Sequence, residues 1–369
     1  MKLISILLFL FINITLLGQI PTGYYDSATG TGYTLKTQLS NIITNGHVDR
    51  GYPALWTLYA NDIRDVFNEY ENDGSLFDIY TENPDGQDPF NFTSTDQQDS
   101  GTDCPEGGCY NREHLIPQSH FDDFYTDYVR NDAHHVIPSD KYVNGKRGNY
   151  PFGVVSSATY ISSNGSKLGN NLNSGYSAGY SGIVFEPVDD FKGDVARSFF
   201  YFATRYENDL DDFYNVSSAD AKVMFDGSTD NAFSDTFLNI LLAWHEMDPV
   251  SEKEIVFNNR IYDYQNNRNP YIDHPEWIAT IWGTTSATSD LIISNIKLYP
   301  NPVKDILYFD FDKETKIDEI KIFSILGKKI MQSEFNSTNS IDVSNLQIGL
   351  YLIEISSENT SQFYKFLKE

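Results

Sequence analysis

Apolar positions in the middle of the chain recur at helical spacing. Val195, Phe199, Phe202 and Tyr206 fall at i, i+4, i+7 and i+11, one face of a 3.6-residue repeat. Asp194 stands where a capping carboxylate would open that helix. Phe233, Phe237, Ile240, Leu241 and Trp244 repeat the pattern. Asp248-Pro249 closes it, because a residue before proline is pushed out of the helical region. Ser251 and Glu254 have capping-box spacing, which predicts a helix through Phe257, Ile261 and Tyr264. These stripes predict core packing and no cofactor site. Short β-prone runs lie at 76–80, 115–116 and 136–137, and the polar stretch 91–108 predicts a long surface loop.

Beyond residue 283 the texture changes. Residues 283–290, GTTSATSD, are small and polar, as in a linker. Short strands are then expected at 306–311, 319–323, 329–332, 340–343, 350–355 and 362–367, with turns at Gly327 and Gly349. In the fifth, Tyr351, Ile353 and Ile355 face one way and Glu354 the other. Closely spaced strands of this kind predict a small C-terminal β-sandwich. The boundaries are therefore read as a body over 19–283, a linker over 284–293 and a tail over 294–369.

At the other end, an apolar run over 3–17 follows Lys2 and contains Asn13 and Thr15. A spanning helix wants about 18–20 apolar residues, so residues 1–18 are read as a secretory signal peptide, with no membrane span in the mature chain. Export makes a disulfide possible. Cys104 and Cys109 are the two cysteines and allow one intramolecular pairing. The rival, a two-cysteine zinc site, lacks two further soft ligands nearby.

The composition, 40% hydrophobic and 15% aromatic over 369 residues, excludes a disordered chain. The net charge of −26 disfavours a polyanion partner until its distribution is considered. Residues 141–185 contain no Asp or Glu but include Lys141, Lys146, Arg147 and Lys167. An acid-free segment in an acidic protein is where a polyanion could touch down. A neutral loop segment is the alternative.

The densest polar constellation is Asn111-Arg112-Glu113-His114. Asp132, His134, His135 and Asp140 follow, then Asn144-Gly145-Lys146-Arg147-Gly148-Asn149. Hydrolysis of a phosphodiester needs a base for water, charge neutralisation in the transition state and stabilisation of the leaving oxygen. His114 suits the first task, because an imidazole is largely neutral near pH 7. Glu113 and Asn144 offer hard oxygens for Mg²⁺, and Lys146 and Arg147 can neutralise phosphate. Neighbours on a strand point to opposite faces, so Glu113 and His114 act together only if the chain bends or substrate lies between them. Asn144-Gly145 alone would ordinarily be a turn. His134, His135, His245 and His274 are expected to be structural. Arg268 is either a loop anchor or a phosphate contact.

The body resembles the secreted endonuclease I family. The resemblance rests on residues 111–121 (NREHLIPQSHF), 132–140 (DAHHVIPSD), 142–147 (YVNGKR) and 149–153 (NYPFG). It continues in residues 242–245, 248–251 and 267–276, and covers most of 45–282. It implies an α+β fold with a ββα-metal, or His-Me finger, nuclease site. In that fold His114 is the general base, and Glu113 and Asn144 are the metal ligands. The family's transition-state arginine falls at Arg130 by position or Arg147 by chemistry. Arg112, Lys146 and Arg268 are read as candidate phosphate contacts by their own charge. The implied activity is Mg²⁺-dependent cleavage of DNA, and of RNA in many members, with little sequence preference and 5′-phosphate ends; Mn²⁺ is expected to substitute. The tail resembles the type IX secretion sorting domain through Tyr299-Pro300-Asn301-Pro302, Ser324 to Lys328, and Ile341 to Leu346 followed by Gly349-Leu350-Tyr351. That implies engagement of the type IX machinery and a secreted or cell-surface protein. The competing readings are a secreted ribonuclease and an inactive exported binding protein on a nuclease scaffold. The intact Glu113, His114 and Asn144 argue against the second.

Overall fold

The computed structural model describes residues 20–84, 86–99, 101, 103–121, 128–216, 221–283, 296–310, 319–324, 328–334, 339–357 and 360–369. The expected signal peptide (1–18), linker (284–293), turn at Gly327 and last position of the strand at 306–311 lie outside them. The chain divides into two compact units, one within 1–172 and 179–283, the other within 284–369 together with 173–178. Among the described residues no helix is long and apolar enough to cross a membrane.

The first unit mixes helices and small sheets. Its helices are α1 (Gly32–Thr44), α2 (Leu55–Asp62), α3 (Lys141–Arg147), α4 (Lys192–Arg205), α5 (Leu210–Val216), α6 (Ala221–Met224), α7 (Asp235–Met247), α8 (Glu252–Gln265), α9 (Pro270–Asp273) and α10 (Glu276–Trp282). Its strands are β1 (Tyr110–His114) and β2 (Val136–Asp140), which pair with each other, and β3 (Val155–Ile161), β4 (Lys167–Asn171) and β5 (Ile183–Glu186), which form a second antiparallel sheet.

The core gathers on α4. Val195, Phe199, Phe200 and Phe202 are buried on it, and it packs against α1 and α7. Asp194 is not its cap. A 3-10 turn at Asp189–Phe191 runs straight into the helix, so α4 starts at Lys192 and Asp194 lies inside its first turn, bonded to Lys253. The helix ended by Asp248 and the capping box form as the spacing predicts, except that Ser234 caps the former and Phe233 lies just outside it. In the box, Ser251 N donates to Glu254 Oε2 at 3.0 Å, and Glu254 N to Ser251 Oγ at 3.3 Å.

Of the three β-prone runs in the body, the one at 136–137 becomes a strand. Residues 76–80 instead form a turn-bearing segment, because Asp78 is fully buried and spends its carboxylate on the amides of Tyr80 (2.9 Å) and Asp140 (2.5 Å). Residues 115–116 are a bend directly after β1.

The second unit is β-rich. Its strands are β6 (Lys297–Tyr299), β7 (Ile306–Asp310), β8 (Glu319–Ser324), β9 (Lys329–Glu334), β10 (Ser340–Asp342), β11 (Gly349–Ser357) and β12 (Thr360–Lys368). They form two antiparallel sheets, β10-β7-β6 and β12-β11-β8-β9. Leu307 and Phe309 from one and Ile320, Ile322, Ile353 and Phe366 from the other share a single apolar cluster. Tyr351, Ile353 and Ile355 face inward as the alternation predicts, while Glu354 meets Lys321 at 3.5 Å. β6 was not among the expected strands; it is short and largely uncovered.

Candidate active site

The antiparallel pair β1–β2 runs in register from Tyr110 opposite Asp140 to His114 opposite Val136. The chain passes from β2 into α3 without a loop. Asp140 makes this possible, because its Oδ1 accepts from the amides of Tyr142 (2.7 Å) and Val143 (3.0 Å) and so caps the helix. Asp140 Oδ2 takes the amide of Gly107 at 2.6 Å, and Lys141 N donates to the Cys109 carbonyl at 3.1 Å. Gly107 and Cys109 belong to the loop closed by the Cys104–Cys109 disulfide, with the Cα atoms 5.9 Å apart. The staple therefore sits on the start of α3. Asn144-Gly145 lies inside this helix and is not a turn.

Glu113 and His114 both line one cleft of about 690 Å³, together with Asn111, Arg112, Arg130 and Asn144. Strand alternation does not separate them because β1 ends at His114 and the chain bends at once. Glu113 is buried. Its Oε1 accepts from the Tyr80 hydroxyl at 2.9 Å and lies 3.3 Å from Arg147 NH1. Burial pushes its carboxyl up from the usual range, and Arg147 and Tyr80 oppose that shift.

His114 Nε2 meets the carbonyl of Arg130 at 3.1 Å. A carbonyl only accepts, so Nε2 carries the proton and Nδ1 keeps its lone pair. The Gln118 amide donates to that Nδ1 at 3.1 Å. Burial, then the charges of His135, Arg130 and Arg112, hold the imidazole well below its ordinary pKa, so it stays neutral. A neutral ring with a fixed tautomer, facing a polar cleft, can accept a proton from water.

Asn144 donates its amide nitrogen to Asn111 Oδ1 at 2.9 Å and, more weakly, to the Arg112 carbonyl at 3.5 Å. Both nitrogen contacts leave the amide oxygen as the free end of the group. One carboxylate and one neutral amide oxygen in a wide polar cleft fit a weakly held, hydrated Mg²⁺.

The cationic residues divide by role. Arg147 is buried, and it donates to the carbonyls of His114 (2.9 Å) and Leu115 (2.6 Å) besides pairing with Glu113. Arg112 is also buried. It donates to the Tyr52 carbonyl at 2.6 Å, pairs with Asp99 and stacks over Tyr52 (3.4 Å) and Trp56 (4.3 Å). Arg130 is half-buried on the cleft, 4.0 Å over the Tyr52 ring. Lys146 reaches over Tyr142 and Tyr160 and is not among the residues lining the cleft. Nor is Arg268, which forms a bidentate pair with Asp273 at 2.6 and 2.7 Å.

His134 and His135 bond the carbonyls of Asn267 (3.1 Å) and Val129 (2.8 Å). Asp132 collects the Tyr201 and Tyr206 hydroxyls at 2.7 Å each. This network anchors residues 132–135, which lead into β2. The sequence reading missed Tyr80, Asn111 and Gln118 as parts of the site. Asn111 and Gln118 lay inside its motif, whereas nothing local pointed to Tyr80.

The Endonuclease I family model matches residues 31–276. This chain belongs to the Endonuclease I family. Two relatives of this Endonuclease I region are each named "Extracellular ribonuclease". That of Bacillus subtilis (strain 168) is 33% identical over 266 residues, covering 70% of this chain and 78% of that protein. That of Bacillus amyloliquefaciens is 34% identical over 269 residues, with the same coverage. Residues 297–369 match the secretion system C-terminal sorting domain. This Endonuclease I member is thus a nuclease with a type IX sorting tail, acting on nucleic acid as a secreted or cell-surface protein.

Proposed function

We propose that the protein is a metal-dependent endonuclease whose β1, β2 and α3 constitute a ββα-metal, His-Me finger site. The observation that carries this reading is His114, neutral and tautomer-fixed by the Arg130 carbonyl, in one cleft with Glu113 and Asn144. His114 Nδ1 takes the proton of the attacking water once the Gln118 amide swings aside. Arg130 faces the phosphate and offsets charge on the phosphorane-like transition state. Arg147 positions Glu113 and the end of β1, and Arg112 and Lys146 supply positive potential around the cleft. Glu113 and Asn144 would hold Mg²⁺, with Mn²⁺ as a substitute. The bound ion would supply Lewis-acid stabilisation of the phosphate and of the leaving 3′-oxygen. Cleavage then leaves 5′-phosphate ends. Contacts to phosphate read no bases, which favours low sequence specificity on DNA and RNA alike. RNA is a substrate on a further ground, since both relatives are named ribonucleases.

The test is cleavage of plasmid DNA and of structured RNA, in parallel, after EDTA and after Mg²⁺ is restored. His114→Ala should lower turnover about 10²–10⁴-fold with native circular dichroism and unchanged Mg²⁺ binding. Glu113→Gln should weaken Mg²⁺ binding in calorimetric titration. Full activity in EDTA removes the metal, and wild-type turnover in folded His114→Ala removes the base.

A further inference from the structure

A second group of oxygens lies in the segment that precedes β1. Asp65, Glu71 and Glu82 each place a carboxylate oxygen within 4.8 Å of the others. Asp65 and Glu82 are fully buried and Glu71 partly so. Three carboxylates brought together in a protein interior repel one another unless a cation or protons intervene. Among the described residues none of the three has an ion-pair partner.

The hydrogen bonds separate oxygens that hold the loop together from oxygens with nothing to do. Asp65 accepts the amides of Phe67 and Asp73, both at 3.2 Å, and Glu71 Oε1 accepts the amide of Asp88 at 2.9 Å. Among the described residues, both oxygens of Glu82 and Oε2 of Glu71 are buried without a hydrogen-bond partner. An orphaned buried carboxylate is strongly disfavoured, so a side chain aimed in this way at two other carboxylates points to a bound cation.

We propose that Asp65, Glu71 and Glu82 form a calcium site, separate from the catalytic cleft. The donors are all carboxylate oxygens, with no imidazole or thiolate, so the ligand is a hard cation. Ca²⁺ sheds its water readily and takes oxygens in flexible geometry, whereas Mg²⁺ keeps several waters and demands near-octahedral order. A buried site with bare carboxylate oxygens suits Ca²⁺. The same segment carries Asp78, which caps the amide of Asp140, and Tyr80, which donates to Glu113. Calcium at this place ties down the strap on which the catalytic carboxylate rests.

The test is calorimetric titration of CaCl₂ into the chelated full-length chain, with thermal unfolding at 0 and 10 mM Ca²⁺. A site of the strength seen in extracellular modules, about 10⁻⁴–10⁻³ M, shifts the folding equilibrium about 10–100-fold at 10 mM. The midpoint should rise by several degrees, and Mg²⁺ at equal concentration should give less. Glu113→Gln should keep this response, which separates the site from the catalytic cation. Glu82→Gln should abolish it while leaving the calcium-free protein as stable as wild type or more so, since repulsion is relieved. If Glu82→Gln does not fold, Glu71→Gln should raise the half-saturating Ca²⁺ at least about tenfold. An unshifted wild-type midpoint, an equal response of Glu113→Gln to Mg²⁺, or an undiminished Ca²⁺ response in folded Glu82→Gln or Glu71→Gln would overturn the assignment.

Discussion

The hydroxyl of Tyr80 donates to Oε1 of Glu113 at 2.9 Å, in a place where both side chains are buried. The carboxylate's position is thus set from outside the strand that bears it. Tyr80→Phe removes the donor and keeps the ring. It should lower metal affinity or turnover about 10–100-fold, the usual consequence of losing a group that orients a metal ligand. The Mg²⁺ dependence of cleavage checks this, and a wild-type dependence in a folded variant would refute it.

Arg130 and Arg147 are both guanidinium groups at the cleft, yet their surroundings predict opposite phenotypes. Arg147→Met strands a buried carboxylate and two strand-end carbonyls, so it should cost about 3–5 kcal/mol of stability. Arg130→Ala should change stability by no more than about 1 kcal/mol and lower turnover about 10²–10³-fold. Denaturant midpoints and turnover measured on both variants decide between them. A stable, inactive Arg147→Met with an active Arg130→Ala would reverse the two roles.

His134 and His245 should each withdraw stability in mild acid, for reasons outside the cleft. Burial holds His134 and His245 down to about 4 each, with Asp132 opposing the shift at His134 and Arg197 reinforcing it at His245. In the unfolded chain the same rings bind protons near pH 6.5, roughly their free value. Between about 6.5 and about 4 the unfolded state binds more protons, so stability drops as pH falls through that window and levels above it. Each ring contributes on the order of 1.4 kcal/mol per pH unit. Urea midpoints from pH 8 to 4, measured on wild type and His134→Gln, should show a shallower acid loss in the variant. The same pH dependence in both would rule it out.

What the sequence made legible were features whose partners lie close along the chain. The Ser251–Glu254 box closes within one helical turn, and the core stripe of α7 ends at Asp248 as its spacing demands. That Glu113, His114 and Asn144 would share one cleft was legible because three ordered motifs surround them. What stayed hidden depends on distant partners. The apolar residues of 76–80 suggested a strand, but Asp78 is claimed by the amide of Asp140 and turns the segment. Glu82 looked like one acid among many until the fold set it beside Asp65 and Glu71. Arg268 had the chemistry of a phosphate contact, yet Asp273 occupies both ends of its fork.

The disulfide offers a further check. Joining Cys104 to Cys109 closes a short loop, which by chain entropy stabilises the fold by about 2 kcal/mol. Cys104→Ser with Cys109→Ser should lower the denaturation midpoint accordingly. The loss should show first in hydrogen exchange at the amides of Tyr142 and Val143, which Asp140 caps. Uniform exchange changes across the unit, sparing these amides, would detach the staple from α3.

That staple makes the redox state of the surroundings part of how the cleft is built. Reducing compartments keep thiols apart, and a chain still inside one lacks the closure that steadies Gly107 against Asp140 and the first turn of α3. The helix that carries Asn144 therefore gains this tether only where disulfides form. A nuclease built this way is held less tightly at the first turn of α3 wherever its thiols stay reduced.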